Sequence, residues 1–237
     1  MILKHDIIEY IEGYRLQLGK DVSNMHDNLD EIQSVRLVQY RILNRLAKKG
    51  NILFTGSSLM EQFPINELLM NNGMHHAIYN RGIGGFTTDN MLEYMDEMVF
   101  GTEPARVFIN IGTNDIARPD YSLDRLIRNY GKILILIRDR LPDAEINTLA
   151  YYPVNETDKV TDNTMRDMLF STRTNENIDL ANMAVEALAK RMGCNYIDAN
   201  EGLRDNHGRL KAEYTIEGIH MYANGYQVVF NNLRKYL

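Results

Sequence analysis

Cysteine is nearly absent: Cys194 is the only one in 237 residues, so no disulfide can form within the chain, and a reducing cytoplasm is the expected location. Its setting, "GCNYID", reads as that of a packed core thiol. Long hydrophobic runs are missing too. No segment approaches the roughly 18 to 20 apolar residues of a membrane helix. The opening "MILKHDIIEYIEGYRL" carries Asp6, Glu9 and Glu12 where a signal peptide needs uninterrupted apolar sequence. A soluble protein that is not exported is expected. Positive charge is also in short supply, since the formal net charge is −6 and the basic residues are scattered among acids. That excludes the basic surface on which a nucleic acid would dock. With no Pro/Gly-rich linker, internal repeat or low-complexity tract, one main domain is expected. His75 and His76 lack companions at metal-ligand spacing and read as solvent-facing, and no metal or organic cofactor is expected.

What the chain does contain is alternation. Apolar runs at 51–55, 76–80, 105–112, 145–152 and 194–198 read as strands, and amphipathic stretches at 87–100, 121–141, 176–192 and from 223 to about 236 read as helices. Nearly continuous apolar strands alternating with helices predict an α/β fold: a three-layer α/β/α, flavodoxin-like, doubly wound sheet of five parallel strands. Met91, Met95 and Met98 follow helical spacing and read as core or helix-face residues, with the lining of an acyl pocket as the alternative. Residues 1–48 stand outside this alternation. There Ile32, Val35, Val38, Ile42 and Leu46 recur at helical spacing, after a shorter helix over 4–18. They are expected to form an N-terminal helical extension packed on the main domain, 49–237, with a homodimer contact as the alternative.

Ligands of an open α/β sheet bind beyond the carboxyl ends of its strands, so the strand-to-helix loops are where chemistry should sit. Three of these loops are unusual: "TGSS" after the first strand, "NRGIGGFTT" after the second and "GTND" after the third. The first places a serine hydroxyl, from Ser57 or Ser58, at the sheet edge beside a helix start. The second lets backbone N–H groups approach a ligand, and Asn114 in the third adds a side-chain amide donor. Such donors suit acyl transfer, in which negative charge develops on a carbonyl oxygen. Serine then needs a base. His220, in "TIEGIHMYANGY", lies before the last helix with Glu217 three residues upstream, where a carboxylate can orient the imidazole.

Four blocks in order, across roughly residues 51–230, resemble those of the SGNH hydrolases, the superfamily that includes GDSL esterases and platelet-activating-factor acetylhydrolase-like members. "FTGSS" matches the apolar-Gly-Asp-Ser block, which implies Ser58 as nucleophile and puts Ser57 in place of an aspartate. "NRGIGGFT" implies Gly85 as an oxyanion-hole glycine, and "GTND" implies Asn114 as the third donor beside the Ser58 N–H. "EGIH" with "NGY" implies His220 as base, with Glu217 where the family has Asp. The resemblance therefore implies a serine esterase or acylhydrolase acting on a small ester, with short acyl groups favoured because no membrane-docking helix is evident.

Two departures bear on this. Glu217 carries one methylene more than Asp, which changes its reach to His220, and Tyr222 removes a good N-cap from the final helix. Alternative readings are a non-catalytic binding module, a lysophospholipase or thioesterase with a longer acyl chain, and a nucleotide binder, though no phosphate-binding fingerprint is present. Ser58-Leu59-Met60-Glu61 also fits a capping box, in which Ser58 would simply start a helix.

Overall fold

The computed structural model describes residues 30–157 and 162–237. Two compact units divide between Ala47 and Lys48. In the first, helix α1 (Glu31–Leu46) begins at Asp30, whose side chain accepts from the Gln33 N–H while the Gln33 side chain accepts from the Asp30 N–H. That reciprocal cap meets two donors a helix start leaves unpaired. The shorter helix expected over 4–18 lies outside the described residues.

In the second unit, strands β1 (Ile52–Gly56), β2 (Ile78–Gly82), β3 (Arg106–Asn110), β4 (Glu145–Leu149) and β5 (Asn195–Ile197) form one sheet in the order β2-β1-β3-β4-β5. Every neighbouring pair is parallel. The chain starts at β1, moves outward to β2, then crosses back to β3. The order therefore reverses between β1 and β3, and a crevice opens there at their carboxyl ends.

The strands are apolar along their length because helices cover both faces. Leu53, Phe54, Val107, Phe108 and Ile109 are fully buried, and the Phe54 ring lies 4.9 Å from that of Phe108 and 5.7 Å from that of Phe63. Each such side chain contributes roughly 1.5–3 kcal/mol of hydrophobic stabilisation. The covering helices are α2 (Ser58–Glu61), α3 (Ile65–Asn71), α4 (Thr88–Glu93), α5 (Met95–Met98), α6 (Thr113–Ile116), α7 (Leu123–Arg140), α8 (Asn163–Phe170), α9 (Asn175–Arg191) and α10 (Ala223–Leu233). Helix α7 shows the rule: Leu126, Tyr130, Ile133, Leu134 and Ile137 recur three or four residues apart and are its buried face. Among the described residues, no helix is long and apolar enough to cross a membrane.

Several expectations need correction. The stretch 87–100 is not one helix but two, broken at Tyr94, whose ring packs 6.0 Å from Phe86. At the break Tyr94 leaves helical geometry, with φ −112° and ψ 33°. Met91, Met95 and Met98 are buried as core residues all the same. Strand β4 ends at Leu149 rather than 152, because the Tyr151 N–H is taken by the Asn182 side chain at 2.7 Å. Helix α8 was not expected. Cys194 lies just before β5 half-buried rather than in the core, and burial pushes its thiol pKa up.

Candidate active site

The Ser58 corner is shaped by the close approach of two strands. Gly56 ends β1 with φ 148°, and a Cβ there would stand 1.9 Å from the Asn110 carbonyl oxygen. Only glycine lets β1 turn so tightly beside β3. Ser57 then donates its N–H to that same oxygen at 3.2 Å, and Ser58 opens α2. Ser57 occupies the cap position but its side chain makes no cap hydrogen bond, and its hydroxyl is buried without a partner. The Ser58 capping-box alternative does not fit either: Ser58 is the first helical residue, and Glu61 accepts from the Gly84 N–H at 2.8 Å.

That bond ties the second loop to α2. Ile83 to Phe86 form a turn closed by Phe86 N–H to the Ile83 oxygen at 3.3 Å, with Gly85 at φ 77° in the position where such turns favour glycine. The N–H groups of Ser58 and Gly85 have no hydrogen-bond partner among the described residues. Asn114, in α6, donates through Nδ2 to the Phe86 oxygen at 3.0 Å and accepts at Oδ1 from Arg173 at 2.9 Å. A guanidinium only donates and a carbonyl only accepts, so the orientation of the Asn114 amide is settled. One N–H of Nδ2 remains.

Arg173 is a residue of the cleft wall that the sequence analysis did not single out. It is 6% exposed, and its Nε also donates to the Thr113 oxygen at 3.2 Å. Burial pushes its pKa down to about 10, opposed by the nearby Glu217 carboxylate, so it remains charged at neutral pH. Nothing in "FSTRTNE" distinguishes it from a solvated loop arginine. Asp115, by contrast, is structural: it accepts from the Thr88 N–H at 2.9 Å and hydroxyl at 2.5 Å, and burial raises its pKa.

His220 arrives from the far end of the chain. Its Nε2 lies 2.8 Å from Ser58 Oγ and its Nδ1 lies 2.5 Å from Glu217 Oε1. A neutral ring protonated on Nδ1 satisfies both contacts. Burial alone would raise the Glu217 pKa, but bonds from the His220 ring and from its backbone N–H at 3.0 Å outweigh it and hold the carboxyl below its ordinary range. The extra methylene of Glu217 has thus not broken the contact. Thr215 braces the loop, accepting from the Gly218 N–H at 2.8 Å and donating to the His220 oxygen at 2.9 Å.

Ser58, Gly85, Asn114, Glu217 and His220 line one cleft of about 460 Å³, together with Arg173 and the apolar Leu59, Leu169 and Ile219. The methionines of α4 and α5 are not part of its wall. Tyr222 caps α10 without a side-chain bond, as its phenol suggests. His75 and His76 are exposed, and no metal-binding cluster occurs among the described residues.

Comparison with known proteins places the chain in a family and among several solved structures. The GDSL-like lipase/acylhydrolase family model matches residues 64–228, a span that includes Gly85, Asn114, Glu217 and His220 and begins after Ser58. A Streptococcus pneumonia protein provisionally described as a platelet activating factor is 31% identical, with 97% of this chain and 98% of that one covered and a TM-score of 0.76. A GDSL-like lipase from Bacteroides thetaiotaomicron is 21% identical over 84% of this chain and 96% of its own, with a TM-score of 0.69. An acetylxylan esterase from Geobacillus stearothermophilus is 16% identical over 79% and 94%, with a TM-score of 0.58. At these last two identities the likeness is one of fold. The N-acylneuraminate cytidylyltransferase of Escherichia coli is 28% identical over 213 residues, and the chain spans only 45% of that curated relative.

Proposed function

The chain belongs to the GDSL-like lipase/acylhydrolase family, and we propose that it is a serine esterase that hydrolyses short-acyl esters of small molecules through Ser58, His220 and Glu217. One observation carries the reading: a hydroxyl, an imidazole and a carboxylate stand in hydrogen-bonded series at 2.8 Å and 2.5 Å, in a cleft beside three unused N–H donors.

In this mechanism His220 Nε2 takes the Ser58 proton as Oγ attacks the ester carbonyl, and the Glu217 carboxylate stabilises the imidazolium that forms. The oxyanion is received by the N–H groups of Ser58 and Gly85 and by the remaining N–H of Asn114, each such donor being worth on the order of 10²–10³ in rate. His220 then protonates the leaving alcohol. Water, activated by the same imidazole, attacks the acyl-serine and releases the acid. The catalytic groups in these steps are side chains and backbone of this chain, and water is the second substrate.

The alternative of a catalytically idle binding module rested on Glu217 standing where the family has Asp. Its contact with Nδ1 favours the esterase. A fluorophosphonate probe should label the wild-type protein and fail to label Ser58→Ala. With p-nitrophenyl acetate, Ser58→Ala and His220→Ala should each lose roughly 10⁴-fold or more in kcat/KM, whereas Ser57→Ala should keep most activity. Full activity in Ser58→Ala would sink the assignment.

A further inference from the structure

Buried charges are ordinarily paired, because an ion removed from water without a counter-ion is costly. Arg173 has a counter-charge nearby in Glu217 but no direct ion pair with it. No carboxylate lies within ion-pair distance of it among the described residues, and its two bonds go to neutral oxygens, Thr113 O and Asn114 Oδ1. A guanidinium has five N–H donors, so three are left over on a residue that forms part of the cleft wall. The same wall carries two buried hydroxyls without partners, Ser57 Oγ and Thr113 Oγ1. Of the carboxylates facing the cleft, Glu61 bonds the Gly84 N–H, and Glu217, whose charge favours that of Arg173, is hydrogen-bonded to His220 and not to the guanidinium.

Orienting Asn114 accounts for one N–H and does not require a full positive charge. A glutamine or a backbone amide would hold Oδ1 as well, at far less desolvation cost. What a buried, permanently charged fork adds is bidentate recognition of a planar anion. We propose that Arg173 is a substrate-binding residue that pairs with a carboxylate carried by the ester, so that the natural substrate is an ester of an acidic molecule. This inference rests on the esterase reading of the same cleft. A site built to bond an anion also rejects the neutral isostere, because the substrate's absence of charge leaves the guanidinium unpaired.

Two matched pairs of esters test it. Acetyl-lactate against isopropyl acetate places the carboxylate on the alcohol side, and monoethyl succinate against ethyl butyrate places it on the acyl side. The wild-type enzyme should prefer the acidic member of at least one pair, by on the order of tenfold to a hundredfold in kcat/KM. Arg173→Gln should erase that preference, and Arg173→Lys should keep part of it. Because Asn114 loses its anchor, the neutral esters should slow as well, so the ratio within a pair is the readout. Equal rates within both wild-type pairs would overturn the proposal with no variant needed, and so would an Arg173→Gln protein that slows both members of the preferred pair equally. Fluorophosphonate labelling of Ser58, run alongside, separates the two claims: if labelling fails, the esterase reading falls. If labelling succeeds and the preference is absent, only the role of Arg173 falls.

Discussion

The Ser58 corner and the His220 loop meet at a single hydrogen bond, yet different forces hold them. At Ser58 the constraints run from backbone to backbone: Gly56 packs against the Asn110 carbonyl, Ser57 bonds the same oxygen, and the Ile83 N–H bonds the Gly56 oxygen at 3.0 Å. To move this serine, the sheet itself must move. The loop from Thr215 to Met221 lies outside the sheet: it is closed on itself by the Ile216 N–H to the His220 oxygen at 2.9 Å and by the Thr215 hydroxyl, and is tied to the chain at Asn155, whose N–H bonds the Gly218 oxygen at 2.8 Å and whose carbonyl packs against Gly218. The nucleophile is held by the backbone of the sheet, and the base by a loop closed through one hydroxyl and tied down at one backbone contact. Damage at the first place should therefore appear as lost stability, and at the second as lost activity.

Gly56→Ala is the harshest test. Its Cβ would lie 1.9 Å from a backbone oxygen and 2.9 Å from Met60 Cγ, so a loss of about 3 kcal/mol or more is expected in urea unfolding. A variant with an unchanged midpoint would break the comparison at its stronger end. Thr215→Val should cost less stability, about 1–3 kcal/mol, while slowing ester hydrolysis on the order of a hundredfold because His220 drifts from Ser58. Equal losses at both sites would show that they share one constraint.

Acid provides a gentler probe. Glu217 has its folded pKa below its ordinary value. Its contribution to stability is therefore complete above the ordinary glutamate range and disappears as pH falls through the lower folded value. The wild-type urea midpoint should fall more steeply than that of Glu217→Gln as pH drops below about 4.5. Parallel curves would mean that the carboxylate adds nothing to the loop. Smallest of all, Tyr222→Ser supplies the cap that α10 lacks. A gain of about 0.5–1 kcal/mol in thermal or urea stability is expected, with activity unchanged.

The same contrast governs how much of the molecule is legible in its sequence. Strands buried on both faces announce themselves as apolar runs, so β1 to β5 appear within a few residues of their observed limits. Ser58, Gly85, Asn114, Glu217 and His220 are legible because each stands in a short block with glycine or asparagine at a fixed offset. Arg173 stands in no such block, since its role depends on burial, which is a property of three-dimensional packing. The break at Tyr94 is hidden for a related reason: Met91, Met95 and Met98 keep helical spacing across it and are buried on both sides of it. Cys194 misleads in the opposite direction, because it stands just before a strand, between Gly193 and Asn195, and is only half-buried there.

The bond between Ser58 and His220 joins residues 162 positions apart. Closing so long a loop carries a large entropic cost that neither residue can offset alone, so the contact must be inherited from elements already docked. In refolding, intrinsic fluorescence from the tyrosines packed in the core should recover before hydrolysis does. The interval between the two signals would measure how late the His220 loop settles onto a finished sheet.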